Sequence, residues 1–268
     1  MTSNEIKRIT SLHVDKFRKE QQHFLVEGPK LLEELLRSNF TIKAIYALPE
    51  WIDESENIPR SINIVKVSPK ELSRISQLKT PNQLVTEVAM KDSRHRQPPS
   101  GKEWIIALDN INNPGNLGTI IRTADWFGFQ HIVCSSNCAD FYNPKVIQST
   151  MGSFTRINVY YTDLEQWLSE ETQHTPLYGA TMDGDSLYDV ALPPNGILLI
   201  GNESHGISKN LNSFIFKKIK IPSYGSRAES LNASIATAVI AAELRRHPKS
   251  GKSISICENP QTKTHTTL

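Results

Sequence analysis

"EWIIALDNINNPGNLGTIIRTADWFGFQHIVCS", residues 103–135, decides how this chain is read. Trp104 to Leu108 is an unbroken apolar run of strand length. It ends in a polar, Pro/Gly-containing stretch, and then Leu117, Ile120, Ile121 and Ala124 return at the three- and four-residue spacing of one helix face. Gly128 closes that segment, and "HIVCS" opens a second apolar run. Strand, helix, strand predicts a βαβ unit with parallel strands, because such strands need a crossover longer than a hairpin. The rhythm continues. "NPKVIQSTMGSF" reads as a helix, "INVYY" as a strand and "DLEQWLSEE" as a helix. "PLYGATM" and "GILLIGNE" read as strands parted by a Gly/Pro/Asp turn region. "FKKIKIPS" is a further strand, and the alanine-rich stretch up to Arg246 is the last helix. The expected fold is α/β, with a parallel sheet covered by helices on both faces.

The chain before residue 103 has a different texture. "GPKLLEELLRSN" carries Leu31, Leu32, Leu35 and Leu36 on one helical side, and "IKAIYAL", "INIVKVS" and "QLVTEVAM" read as strands. "SPKELSRIS" opens on Ser68, has Pro69 at the first helical position and Glu71 three residues after the cap. This is a small α/β unit over residues 1–97. "KDSRHRQPPSGK", residues 91–102, has the composition of a linker and sets the boundary near residue 97. The second unit spans 103–247, and the polar tail 248–268 is expected to be disordered.

Composition narrows the class. The chain has 268 residues, 38% hydrophobic and 22% charged, with a formal net charge of only +2. Global charge therefore does not announce nucleic acid, although a local basic patch would suffice. Three cysteines are too few for a disulfide framework and suit a reducing compartment. Cys134 and Cys138 have no matching Cys or His pair, and the eight histidines lack metal-ligand spacing, so no metal is expected. The first residues lack the apolar run of a signal peptide, and no stretch is long and apolar enough to span a membrane. The expectation is a cytoplasmic protein.

In open parallel sheets, ligands bind beyond the carboxyl ends of the strands. Four such ends carry loops rich in Gly, Asn and Ser: "DNINNPGNLG", "GATMDGD", "GNESHGIS" and "PSYGSRAESLNAS". Glycine lets backbone approach a ligand, and Asn and Ser offer donors and acceptors. There is no G-x-G-x-x-G after the first strand, no Walker lysine motif and no G-x-S-x-G elbow. Asn116 can cap the helix that follows, and Arg122 is offset from it by about 240° on the helical wheel. An arginine inside the apolar run Ile120-Ile121-Arg122 implies an anion or carboxylate to meet. Glu203 lies just past a buried strand and either caps amides or serves a site. His205 reads as a loop histidine. Before the last helix, Ser226 with Glu229 matches a capping box and Ser230 is an alternative cap.

Taken in order, three motifs resemble the SpoU (TrmH-type) branch of the SPOUT methyltransferases. Asn116, Gly118 and Arg122 match Asn-x-Gly-x-x-x-Arg. Gly201, Glu203 and Gly206 match Gly-x-Glu-x-x-Gly at a strand end. Ile221-Pro222, Ser230-Leu231-Asn232, Ser234 and Ala236 match the third motif, with one extra residue in the intervening loop. The leading "KFRKEQQHFLVEGPKLLEELL" resembles the family's substrate-binding domain, which is similar to a ribosomal L30e-like fold. The resemblance implies RNA 2'-O-ribose methylation with S-adenosyl-L-methionine, a SPOUT-type sheet with a deep trefoil knot, and a homodimer through the C-terminal unit. It implies Arg122, Asn116, Glu203, Ser230 and Asn232 in the catalytic site. It further implies cofactor contacts from main chain around Ala180, Thr181, Gly201, Ile221 and Leu231. On this reading Ser230 starts the last helix, and residues 226–229 belong to a loop over the pocket.

Methyl transfer to a ribose oxygen is an in-line displacement that needs alignment and removal of the hydroxyl proton. A guanidinium is a poor base, so Arg122 is expected to orient a phosphate or the ribose. Lys7, Arg8, Lys16, Arg18, Lys19 and the basic residues of 91–102 are candidate RNA contacts. Ribosomal RNA is the favoured substrate and tRNA the alternative. A non-catalytic RNA-binding or ribosome-assembly protein of the same fold is the rival from another class.

Overall fold

A computed structural model describes residues 1–55, 58–91, 98, 100, 102–225 and 230–246. Most of the expected 91–102 linker, with its boundary near residue 97, lies outside the described residues, as does the 248–268 tail.

The front unit runs α1 (Ser3–Ser11), α2 (Asp15–Gln21), β1 (His23–Glu27), α3 (Pro29–Leu36), β2 (Ile42–Ala47), α4 (Pro49–Glu54), β3 (Asn63–Lys66), α5 (Pro69–Ile75) and β4 (Leu84–Ala89). Its sheet has the order β1-β4-β2-β3, with β4 antiparallel to both neighbours and β3 parallel to β2. The start of α5 is the one its sequence indicates. Ser68 Oγ accepts from the Glu71 amide at 3.3 Å, and the Ser68 amide donates back to the Glu71 carboxylate at 2.8 Å. Helix α1 uses the same device, with Thr2 and Glu5, where the sequence reading saw no helix.

The second unit runs β5 (Trp104–Leu108), α6 (Pro114–Trp126), β6 (His131–Ser135), α7 (Pro144–Thr150), β7 (Asn158–Thr162), α8 (Leu164–Glu171), β8 (Leu177–Ser186), β9 (Gly196–Ile200), β10 (Lys217–Lys220) and α9 (Ala233–Arg246). The sheet order is β10-β8-β9-β5-β6-β7, and every pair is parallel. Alternation along β5 shows why the run is apolar throughout. Trp104, Ile106 and Leu108 pack toward α6 and α9, while Ile105 and Ala107 pack toward α8. Two boundaries differ from the sequence reading. Helix α7 stops at Thr150, because Met151 (φ 50°) and Gly152 (φ 99°) turn left-handed. Strand β8 runs on through the "DGD" region to Ser186 instead of giving way to a turn.

The two units share a core. Phe24, Leu31, Leu35 and Phe40 from the front cluster with Tyr142, Ile147 and Phe154 from the back. The Phe154 ring stands 5.6 Å from Phe40 and 6.2 Å from Phe24, and Tyr142 lies 4.7 Å from Phe24. Ion pairs frame this seam. Buried Arg18 meets Asp140 at 2.6 Å, and Arg156 bridges Asp125 at 2.8 Å and Glu34. Truncating a buried phenylalanine costs about 3–5 kcal/mol through lost burial and the cavity left behind. Phe154→Ala is expected to lower the stability of both units together in one denaturant transition. Two separate transitions, with only one displaced, would show that the seam does not couple them.

Candidate active site

Sheet order gathers the polar loops. Strands β10, β8, β9 and β5 are neighbours, so the segments leaving their carboxyl ends lie side by side. Each reaches the site by a different backbone device. Between β8 and β10 the register jumps from Lys218 opposite Gly179 to Ile219 opposite Asp185. Residues 180–184 therefore leave the pairing with β10 as an excursion, while Ala180 still pairs with Ile200 of β9. Gly184 permits the return, since a methyl there would lie under 3 Å from the Lys218 and Ile219 backbone. After β9 the chain folds back on itself. Asn202 and Gly206 exchange backbone hydrogen bonds at 3.0 and 2.8 Å, and Gly206 has φ +68°. Asn202 also donates to the Asn110 carbonyl at 2.8 Å and accepts from the Ser204 and His205 amides, tying this loop to the end of β5.

These segments and the first turns of α9 enclose a cavity of about 550 Å³. That is ample for a nucleoside-sized ligand. Its inner wall is Ile200, Ile219, Ile221, Ala233, Ala236 and Ile240. Ala180, Thr181, Gly201, Ile221 and Leu231, the cofactor candidates, all line it, and so do Glu203 and Ser230. Glu203 is the only charged residue among the described lining residues. Such a cavity suits a ligand that brings positive charge and an apolar ring, and disfavours one carrying phosphates.

A chain of side-chain amides runs along its rim. Asn116 Nδ2 donates to Glu203 Oε1, and Asn232 Nδ2 donates to Asn116 Oδ1 at 3.0 Å. Asn232 Oδ1 accepts from the Ser234 amide at 2.9 Å and from its hydroxyl at 2.6 Å. The direction is fixed from one end to the other: a helix amide orients Asn232, Asn232 orients Asn116, and Asn116 presents its NH2 to the carboxylate.

This arrangement corrects two expected caps. Asn116 does not cap α6. Asn113 does, accepting from the amides of Gly115 (2.8 Å) and Asn116 (3.3 Å), with Pro114 at the first helical position. The Asn-Pro pair was the available sequence signal. Nor does Ser230 start α9. Asn232 caps it through Ser234, and the Ala236 amide donates to the Asn232 carbonyl at 2.9 Å. The alternative capping box, Ser226 with Glu229, lies outside the described residues. Gly118 of the first motif is explained by packing. A methyl there would lie under 3 Å from Ser149 Cβ and the Val146 carbonyl of α7.

Arg122 stands apart. It is exposed on α6, does not line the cavity, and has no hydrogen-bond or ion-pair partner among the described residues. His205 is an exposed loop residue. The candidate RNA contacts of the front unit are mostly engaged elsewhere. Lys16 pairs with Glu20, Lys19 with Asp15 and buried Arg18 with Asp140. Arg8 holds both oxygens of buried Glu87 at 2.7 and 2.8 Å, with Tyr46 and His23 alongside. Burial pushes the Glu87 carboxyl up, but the Arg8 hydrogen bonds and charge, with those of Tyr46 and His23, outweigh it and hold it below its ordinary range. The same burial raises the Tyr46 phenol to about 12. Lys7 alone of the five is exposed without a partner among the described residues. Arg94 and Arg96 lie outside them.

The chain is similar to known proteins along both units. Residues 103–242 match the SpoU rRNA Methylase family, and residues 3–86 match the MRM3-like substrate binding domain. The chain is 29% identical to the 23S rRNA (guanosine(2553)-2'-O)-methyltransferase RlmP of Bacillus subtilis, over 91% of this chain and 96% of that one. A TrmH-family protein from Porphyromonas gingivalis superposes with a TM-score of 0.82 at 34% identity, covering 92% of this chain and 98% of the other. An AdoMet-bound rRNA methyltransferase from Sinorhizobium meliloti superposes with a TM-score of 0.80 at 29% identity, over 92% and 96%.

Proposed function

Since the chain belongs to the SpoU rRNA methylase family, we propose that it methylates the 2'-hydroxyl of a ribose in ribosomal RNA, using S-adenosylmethionine. The observation that carries this reading is the cavity in which Glu203 is the one charged side chain among the described lining residues, set against the Asn116–Asn232 amide chain. S-adenosylmethionine supplies an activated methyl group when bound. The apolar wall from Ile200 to Ile240 fits its adenine. Main chain at Ala180, Thr181, Gly201, Ile221 and Leu231 would hold its polar edges. Glu203 Oε1 is fixed by Asn116, while Oε2 has no partner among the described residues. That oxygen can accept the hydrogen bond of the ribose hydroxyl, and Ser230 lines the same cavity. Arg122 orients a phosphate or the ribose. The front unit, residues 1–97, serves as the substrate-binding part.

The knotted backbone and the homodimer implied by the family belong to the same proposal. Leu231 and Ile235, 47% and 51% exposed at the start of α9, support a face between copies. Ribosomal RNA is favoured over tRNA because the relatives named for it match along both units.

The decisive experiment is to map 2'-O-methyl sites in total RNA with and without the gene, alongside a titration of the protein with S-adenosylmethionine. Loss of one ribosomal RNA site is expected. Failure to bind S-adenosylmethionine would return the chain to the non-catalytic class, and a lost site in tRNA alone would move the substrate. Arg122→Lys keeps the charge and removes the planar fork. Its kcat/KM should fall by about 100-fold with cofactor affinity unchanged. Near-full turnover would show that this arginine acts only as a charge.

A further inference from the structure

We propose that Cys134 and Cys138 are a modification site, closed into a disulfide by hydrogen peroxide, and that the bond loosens the β5–α6 loop leading to Asn116. The consequence for methyl transfer rests on the RNA methyltransferase reading. The bond and the loosening do not.

The two thiols are brought together by local structure. Cys134 lies in β6, in the buried cluster that also holds Leu108, Ile111 and Cys138. Just past the strand the chain turns, with the Cys138 amide donating to the Ser135 carbonyl at 3.0 Å. The turn sets Cys138 against Cys134, and the two free side chains hydrogen-bond sulfur to sulfur. Cys138 also stitches the neighbouring loop. Its Sγ accepts from the Ile111 amide at 3.3 Å and donates to the Leu108 carbonyl at 3.3 Å. Beside it, the Ala139 amide donates to the Ile111 carbonyl at 2.9 Å, and the Asn110 amide to Ser135 Oγ at 3.0 Å. This loop ends at Asn113, the cap of α6, one turn before the Asn116 amide that meets Glu203. A disulfide sulfur carries no proton and is drawn to bonding distance of its partner. Closing the bond therefore takes the donor from the Leu108 carbonyl and the acceptor from the Ile111 amide.

The surroundings assign each sulfur a part. Cys138 keeps 8% of its surface open and Cys134 none, so the oxidant meets Cys138 first. The thiolate is the reactive form, and buried thiols without donors around them are inert. Cys138 has such donors. The Cys134 thiol, the Ser135 hydroxyl at 3.5 Å and the Ile111 amide converge on its sulfur. Led by the Cys134 contact, they outweigh burial and bring Cys138 down to about 7. Burial pushes the Cys134 thiol up, which leaves it as the resolving partner. In the first step the Cys138 sulfur attacks an oxygen of hydrogen peroxide. The S–O bond forms, the O–O bond breaks, and the departing hydroxide leaves as water with the thiol proton. In the second step the Cys134 sulfur attacks the sulfenic sulfur. The S–S bond forms, the S–O bond breaks, and a second water carries off the Cys134 proton. Two thiols are oxidised by two electrons, and one peroxide is reduced to two waters.

The test uses the full-length protein carrying Cys257→Ser, so that the pair holds its only thiols. Hydrogen peroxide should remove both thiols and leave a reducible Cys134–Cys138 bond in the peptide map. Amide exchange across residues 108–113 should quicken, and methyl transfer to ribosomal RNA should slow about tenfold. S-adenosylmethionine affinity should hold, because neither cysteine lines its cavity. Dithiothreitol should reverse every change. Cys138→Ser keeps a donor and an acceptor in place, so it should match the untreated rate and resist peroxide. Cys134→Ala should stop at a sulfenic acid on Cys138 that dimedone traps. Two free thiols after peroxide would overturn the proposal. So would a disulfide with unchanged exchange across 108–113, or the same quickening in peroxide-treated Cys138→Ser. If the untreated protein methylates no ribosomal RNA, the functional reading falls, and the thiol count and amide exchange still decide the pair.

Discussion

Gly201→Ala should destroy S-adenosylmethionine binding and lower the melting temperature more than any other single methyl added to the site. The reason is steric and confined to backbone. A Cβ at residue 201 would lie under 3 Å from the Gly206 carbonyl group and from the Ile207 amide nitrogen. No rotamer can relieve this, because the obstacle is the chain folded back by the Asn202–Gly206 bridge. Either the bridge opens or β9 shifts. Both move Gly201, Glu203 and Ile200 away from the cavity they line. Forced overpacking of this kind costs about 3 kcal/mol, or roughly 6–12 °C in melting temperature for a protein of this size. Gly206→Ala is the control. Its φ of +68° disfavours a side chain, but nothing lies within 4 Å of the added methyl. That change should cost about 1 kcal/mol and leave measurable cofactor binding. Calorimetric titration and thermal unfolding read both variants. Wild-type cofactor affinity in Gly201→Ala would show that the returning loop is not what shapes the cavity.

Asn116→Ala should cost about 10²–10³-fold in the rate of methyl transfer while leaving cofactor affinity nearly intact. Asn116 does not line the cavity, and α6 keeps its cap at Asn113. What is lost is the middle of the amide chain. Glu203 loses its donor, and Asn232 keeps its bond to Ser234 but loses its acceptor. Asn116→Asp should be worse still, because it sets a second carboxylate against Glu203, and like charges in contact cannot both stay ionised cheaply. Single-turnover transfer to ribosomal RNA at saturating cofactor separates these effects from binding. A near-wild-type rate for Asn116→Ala would remove the Asn116–Glu203 contact from the mechanism.

The elements that could be read in advance are those whose signal is local. The capping box of Ser68 and Glu71 lies within four residues, and the structure shows both of its hydrogen bonds. The alternation of strands and helices after residue 103 came from the spacing of apolar residues, and the parallel sheet follows it. Helix α1 went unread although its Thr2–Glu5 box is equally local and Ile6, Ile9 and Leu12 recur at three-residue spacing on its buried face, so both signals were present in the sequence. The caps at Asn116 and Ser230 were misassigned for a different reason. An asparagine at a helix start has the chemistry to cap, and Asn116 was free for another bond only because Asn113 had already taken that role.

The sequence by itself determined the order of strands and helices after residue 103, the polar loops at the strand ends, and the glycines on which the close turns depend. These rest on hydrophobic period and backbone freedom, which act over a few residues. Only the tertiary structure decided what each polar side chain is used for. Asn116 meets Glu203 across 87 residues and Asn232 across 116. Arg18 is drawn across 122 residues to Asp140 and withdrawn from the surface. The excursion of residues 180–184 exists because β10 pairs on both sides of it. An amide or guanidinium has several possible partners of similar energy. Which one it takes is set by what the packed sheet brings within 3 Å.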